Sequence, residues 1–182
     1  MSRLILVKHA MPQIDPAVPA KDWRLSDQGW GAATTLAHKL KGFGPGRVVA
    51  SPEPKATDTG HVIAEAIGWP FEVEPAFAEH SRATVKFGTQ AEVEASIRRL
   101  FEEPDRLVYG EETADQAHAR FAEAIERHLA ASSGTLLAAC HGTVITLWVS
   151  RRYGLDPMPF WKSLALPSAV VIEDGAPPRL IA

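Results

Sequence analysis

Four short apolar runs dominate this sequence: residues 4–7 (Leu-Ile-Leu-Val), 48–50 (Val-Val-Ala), 135–139 (Thr-Leu-Leu-Ala-Ala) and 169–172 (Ala-Val-Val-Ile). None alternates apolar with polar, as a strand wetted on one face does, so each reads as a strand buried on both faces. The stretches between them carry apolar residues at helical spacing. Ala32, Ala33, Leu36, Ala37 and Leu40 follow Ser26, a natural N-cap, and Gly42 to Gly46 stop that helix. Val62, Ile63, Ala66 and Ile67 share a face of a helix starting near Ala56, which Gly68 ends; residues 71–73 form a short strand. Further helices are expected near 91–101, 114–129 and 143–152. Buried strands alternating with helices predict an α/β fold, three layers deep (α/β/α), around a mostly parallel sheet.

Length and composition limit the rest. A chain of 182 residues, 46% hydrophobic, forms one real core, read as a single domain over 1–182. The least regular part, about 75–112, is where a small lid or insertion would sit. A net charge of -3 gives no broad footprint for nucleic acid, although a local cationic pocket for a small anion needs only a few residues. The single cysteine, Cys140, excludes an intrachain disulfide framework and a multi-cysteine zinc site. No apolar run reaches the ~20 residues of a membrane span, and the first apolar stretch is too short for a signal peptide. A cytoplasmic protein without membrane contact is expected. There is no repeat, and no signal of oligomeric state.

Ligands of open α/β sheets bind beyond the carboxyl ends of the strands. Three strand ends here are polar: Lys8-His9, Ser51 with Lys55 just beyond, and His141-Gly142. If those strands are neighbours, two imidazoles and two ammonium groups converge. The helix after Gly142 adds backbone N–H groups and the positive end of its dipole. Such a place suits a phosphate-sized anion. A histidine, neutral near pH 7, can serve there as the nucleophile.

The motifs at these ends resemble those of the histidine phosphatase superfamily, which has the phosphoglycerate mutase-like fold. Leu6-Val7-Lys8-His9-Ala10 is similar to its Arg-His-Gly (or Arg-His-Ala) signature, and Leu25-Ser26-Asp27-Gln28-Gly29 to its Leu-Thr-x-x-Gly helix start. Ala50-Ser51-Pro52-Glu53-Pro54-Lys55-Ala56-Thr57-Asp58-Thr59 resembles its Ser-Ser-Pro-x-x-Arg-Ala-x-x-Thr segment. Ala78-Glu79 resembles its Leu-x-Glu acid segment, Gly110-Glu111-Glu112-Thr113 its Gly-Glu-Ser turn, and Cys140-His141-Gly142 its Ser-His-Gly. Each piece alone is weak, but together, in the family's order, they span nearly the whole chain.

The resemblance implies a metal-independent phosphomonoester hydrolase acting on a small phosphorylated substrate, with no cofactor. His9 would be the phosphohistidine nucleophile, His141 would hydrogen-bond the transferring phosphoryl group, and Glu79, with Glu72, Glu74, Glu111 and Glu112 nearby as alternatives, would protonate the leaving alcohol. Lys8 and Lys55 stand where the family has two phosphate-clamping arginines, with Gln13 and Gly142 as further phosphate contacts. Lysine keeps the charge but lacks the bidentate fork. The rival reading is therefore an inactive domain of the same fold that binds inorganic phosphate or another protein. A mutase is disfavoured, because the segment from Glu79 to Glu112 is short for a sugar-holding insert. Arg82 is a further guanidinium that the sequence cannot place.

Other residues read more plainly. Ser51 is expected to serve the turn and helix start, Cys140 to be small core, and the tryptophans to be packing residues, with Trp23 and Trp30 near the pocket. His38, His61, His80, His118 and His128 lack paired metal-ligand spacing and read as surface or helix-face residues, His80 nearest the pocket.

Overall fold

The computed structural model describes residues 3–86, 88–131 and 133–182. Its strands are β1 (Arg3–Lys8), β2 (Gly46–Ala50), β3 (Phe71–Val73), β4 (Thr135–Cys140), β5 (Ser168–Ile172) and β6 (Arg179–Ile181). They form one sheet in the order β3-β2-β4-β1-β5-β6. Strands β1 to β4 are parallel, whereas β5 runs antiparallel to β1 and β6 antiparallel to β5. The helices are α1 (Asp27–Leu40), α2 (Pro54–Ile67), α3 (Gln90–Glu102), α4 (Ala114–Ala130), α5 (Gly142–Tyr153) and α6 (Pro157–Ser163).

The continuous apolar runs are strands buried on both faces, as read from the sequence. Leu4 and Leu6 pack with Phe121 and Ile125 of α4 and with Val144, Ile145 and Trp148 of α5. Ile5 and Val7, their neighbours on the other face, pack with Leu36, Ala37 and Leu40 of α1 and Ile63 of α2. Two helical layers therefore enclose the sheet, the three-layer α/β/α architecture. Helices α3 and α6 extend the α4–α5 side through Ile97, Leu100, Leu147 and Met158. This makes α5 a sandwiched helix, buried at every residue from 142 to 150.

Local signals fix the helix ends. Ser26 caps α1 by accepting the Gly29 N–H, and Gly68, left-handed at φ 73°, ends α2. Thr89 with Glu92, and Thr113 with Gln116, form capping boxes that start α3 and α4. The sequence reading missed α6 and β6. Both are short, and β6 exposes Arg179 and Leu180, so neither carries a buried periodic signal.

Candidate active site

The order β2-β4-β1 makes the three polar strand ends neighbours. The ladder continues past the strands through His9 N–H to the Cys140 carbonyl (3.0 Å) and Ser51 N–H to the Ala139 carbonyl (2.8 Å). Sheet register thus brings His9, Ser51 and His141 together. The imidazoles of His9 and His141 meet edge to face, 5.2 Å apart between centroids. Both are buried, at 8% and 0% exposure. They lie at a cavity of about 610 Å³ that Lys8, Lys55, Glu79 and Arg82 also line, with apolar wall from Met11, Trp23 and Trp161.

His9 is held in one tautomer. Its Nδ1 lies 2.8 Å from the Ala10 carbonyl oxygen, which can only accept, so Nδ1 carries the proton and Nε2 keeps its lone pair. Burial first, then the neighbouring His141 and Lys55, hold its pKa well below the usual histidine range, so the ring is neutral at pH 7. The turn beneath it is fixed from α2: Thr59 Oγ1 accepts the Ala10 N–H (3.0 Å) and donates to the Lys55 carbonyl (2.7 Å). The next residue is fixed from α1, where Ser26 donates to the Met11 carbonyl through both N and Oγ. Gly29 is needed there, because a Cβ on it would stand 2.2 Å from the Met11 oxygen.

His141 is the N-cap of α5 and shares a 2.8 Å hydrogen bond between its Nε2 and Ser51 Oγ. Ser51, read from sequence as a turn residue, therefore also orients a site histidine. Burial and Lys55 push the His141 pKa well down, against a raising influence of Glu79. Its Nδ1 is buried without a hydrogen-bond partner.

The lysines do converge on the cavity, but each is already engaged. Lys8 Nζ donates to the Leu164 carbonyl (2.8 Å) and lies 6.0 Å above the Trp161 ring. Burial lowers its pKa, with Glu79 opposing. Lys55 Nζ donates to the Ala20 carbonyl (2.7 Å) and to Glu53 Oε2 (2.5 Å). Glu53 is the residue that sequence reasoning missed. Its other oxygen accepts the Glu79 N–H (2.8 Å) and lies 3.7 Å from His141 Nε2. One partly buried carboxylate thus links Lys55, His141 and the Glu79 backbone, and two residues' separation from Lys55 was its only signal.

The start of α5 is not open for a ligand, as Gly142 had suggested. Its amide groups at Thr143 and Val144 donate to the Glu79 carboxylate (3.1 and 3.3 Å), which also accepts the His80 N–H (2.8 Å). Burial would raise the Glu79 pKa, but Arg82, His141 and these amides outweigh it and hold the group at about 2. Gly142 lines the cavity, where a Cβ on it would stand 3.3 Å from Lys8 Cε. Gln13 is not brought in. The Pro12–Leu25 bridge ties its N–H to the Arg24 carbonyl, and its side chain is exposed outside the cavity lining.

Glu79 and Arg82 belong to a loop nailed down by the turn at 110–112. Arg120 donates to the carbonyls of Ala76, Ala78 and Glu79 and to both oxygens of Glu112. Glu111 accepts from Ser81 Oγ, from Thr84 Oγ1, and from the N–H groups of Ala83 and Thr84. Gly110 has φ +71°, and a Cβ there would meet the Ser81 carbonyl oxygen at 2.0 Å. His80, read as a surface or helix-face residue nearest the pocket, does line the cavity, but it is 1% exposed, stacks on Tyr109, and contacts the Glu112 carbonyl through Nε2 (2.7 Å).

Two neutral histidines at the carboxyl edge of a parallel sheet, in this order along the chain, carry the family's arrangement. The chain belongs to the histidine phosphatase superfamily (branch 1), whose family model matches residues 4–174. The fold is the phosphoglycerate mutase-like one. It is similar to a mycobacterial protein described as hydrolase 1 (TM-score 0.75, 20% identity, covering 99% of this chain and 96% of that one). It is also similar to a mycobacterial glucosyl-3-phosphoglycerate phosphatase (0.74, 20%, covering 93% and 88%). Structures of that phosphatase with vanadate and with inorganic phosphate match at 22% identity. A phosphoserine phosphatase from Entamoeba histolytica matches with a TM-score of 0.71 and 17% identity, covering 100% and 96%. No curated protein matches the chain. Among the described residues, no helix is long and apolar enough to cross a membrane.

Proposed function

We propose that this protein hydrolyses phosphomonoesters through a phosphohistidine on His9, within a single domain. The observation that carries this is the fixed tautomer: a neutral, buried His9 whose Nε2 lone pair is left free while Nδ1 is tied to the Ala10 carbonyl. In the first step Nε2 attacks phosphorus, the ester P–O bond breaks, and the alcohol departs with a proton. In the second, water attacks phosphorus, the N–P bond breaks, and phosphate leaves. The proton of that water returns to the group that supplied the first.

Glu79 is that group. It is an anion in the free protein, and an arriving phosphate dianion disfavours a neighbouring negative charge, raising its pKa towards the proton-holding form. His141 stabilises the phosphoryl group. With the Ser51 hydroxyl donating to Nε2, its Nδ1–H is free for a phosphoryl oxygen. Lys8 and Lys55 supply the positive charge that the family draws from arginines. Lys8→Arg with Lys55→Arg, which adds paired donors for the equatorial oxygens, is expected to raise kcat/KM about tenfold.

The rival, a phosphate-binding domain without turnover, draws on the Lys55–Glu53 pair, which spends part of the clamp charge inside the protein. Rapid quenching with a labelled aryl phosphate separates the two. An acid-labile phosphoenzyme that His9→Ala abolishes supports catalysis. Phosphate binding with no phosphoenzyme and no turnover supports the rival.

A further inference from the structure

Two guanidinium groups border the cavity, and they are in opposite states. Arg120 is committed, with donors shared among three backbone carbonyls and Glu112. Arg82 is not. Its Nη1 is buried with no hydrogen-bond partner, and its closest anion is Glu79, with Nη2 3.8 Å from Oε2. That is an ion-pair contact but beyond hydrogen-bond reach. Glu79 meanwhile accepts three backbone N–H groups, so its negative charge is already largely satisfied.

A buried donor without a partner costs free energy, and it persists in a folded protein where a ligand or ordered water completes it. Arg82 is also held in place. Glu111 anchors the residues on both sides of it, through Ser81 Oγ and the N–H groups of Ala83 and Thr84. The Glu111 N–H in turn donates to the Ser81 carbonyl (2.8 Å). Such anchoring makes a preorganised donor. Thr143 Oγ1, another buried atom without a partner, lies at the same cavity wall, on the residue whose N–H holds Glu79.

The position along the cavity matters too. Arg82 Nη2 lies 3.8 Å from Glu79 Oε2, whereas Lys8 and Lys55 are tied to the Leu164 and Ala20 carbonyls. Arg82 is thus on the side of the proton donor, where the alcohol departs. We propose that Arg82 binds a second anionic group, a carboxylate or a phosphate, on the leaving alcohol, so that the substrates are phosphomonoesters of anionic alcohols. This rests on the phosphatase reading of the site. The cavity, at about 610 Å³, holds a small metabolite and not the phosphoryl group alone.

The test compares substrates that differ only in the second anion. O-phosphoserine is set against O-phosphoethanolamine, and propane-1,3-diol bisphosphate against its monophosphate. Wild-type protein is expected to favour the anionic member of one pair by about tenfold or more in kcat/KM, the usual scale of a charged hydrogen bond. The pair that shows it tells carboxylate from phosphate. Arg82→Gln should bring that ratio close to one, and Arg82→Lys should restore part of it. If Arg82 serves only to hold Glu79, Arg82→Gln slows both members alike and the wild-type ratio stays, which overturns the proposal. Turnover of aryl phosphates with no discrimination in either pair overturns it while leaving the phosphatase reading intact. Calorimetry on His9→Ala covers the remaining case. Arg82-dependent tighter binding of the anionic member, without any wild-type turnover, sinks catalysis and supports the anion site. Equal binding of both members, or none, overturns the site as well.

Discussion

The two halves of this site are built by different forces. On one side, His9, Ser51 and His141 sit at the ends of adjacent strands, positioned by sheet register and by a core at or near zero exposure. On the other, residues 79–84 have no regular structure and are positioned by side-chain carboxylates and one arginine, most of them partly exposed. Shifting the first half requires moving a strand through close-packed apolar layers. The second half depends on a few polar contacts, which can be cut singly and which respond to pH. The proposed nucleophile is thereby held rigidly, while the proposed acid and Arg82 rest on the adjustable part.

Mutation should expose this contrast most strongly at His9. His9→Ala is expected to cut turnover by at least roughly 10⁴-fold with circular dichroism and melting temperature nearly unchanged, because the side chain faces a cavity and not the core. A variant that unfolds instead would mean that His9 is a structural residue. Glu79→Gln comes next, with a loss of about 10²–10⁴-fold on alkyl phosphates and much less on aryl phosphates, whose leaving groups need no proton. Equal losses on both would remove Glu79 from proton transfer.

The same substitution sharpens the contrast through acid stability. Folding holds the Glu79 carboxyl at about 2, below its unfolded value of ~4.3, so its contribution is present above that value and fades as pH falls towards 2. Its size is on the order of 3 kcal/mol. The buried neutral histidines act in the same direction, favouring folding above the unfolded histidine pKa of ~6.5 and losing that advantage below it. Urea midpoints measured at pH 6 and pH 3 should therefore differ less in Glu79→Gln than in wild type.

Glu111→Ala tests the loop half by itself. The contacts to Ser81, Ala83 and Thr84 are lost at an exposed position, so stability should change little while kcat/KM falls roughly tenfold from misplaced Glu79 and Arg82. An activity equal to wild type would show that the loop is held without its anchor. The smallest effect belongs to chelation. EDTA should leave turnover unchanged if imidazole and ammonium groups serve, as proposed, as the electrostatic clamp. Loss of activity restored by a divalent ion would require a different chemistry.

What could be read directly was whatever obeys a short-range rule. Continuous apolar runs dictated buried strands, Ser26 and Gly68 dictated helix ends, and polar residues at three strand ends marked the cavity. The antiparallel turn of β5, the short β6 and the burial of His80 followed no local pattern. The first depends on how α6 returns the chain to the sheet, and the last on Tyr109 and Glu112, about 30 positions away.

The site divides along the same line. Sequence alone placed Lys8, His9, Lys55 and His141 at or just beyond polar strand ends, and the resemblance of its motifs to the family's added Glu79. Only the tertiary structure decided what each is bonded to: Glu79 on the amides of α5, Lys55 on Glu53, Ser51 on His141, Gln13 outside, Arg82 with a donor unspent. Those outcomes turn on separations of a few tenths of an ångström between residues far apart in the chain. Hydrogen bonding and desolvation depend steeply on such distances, and residue order carries no information about them.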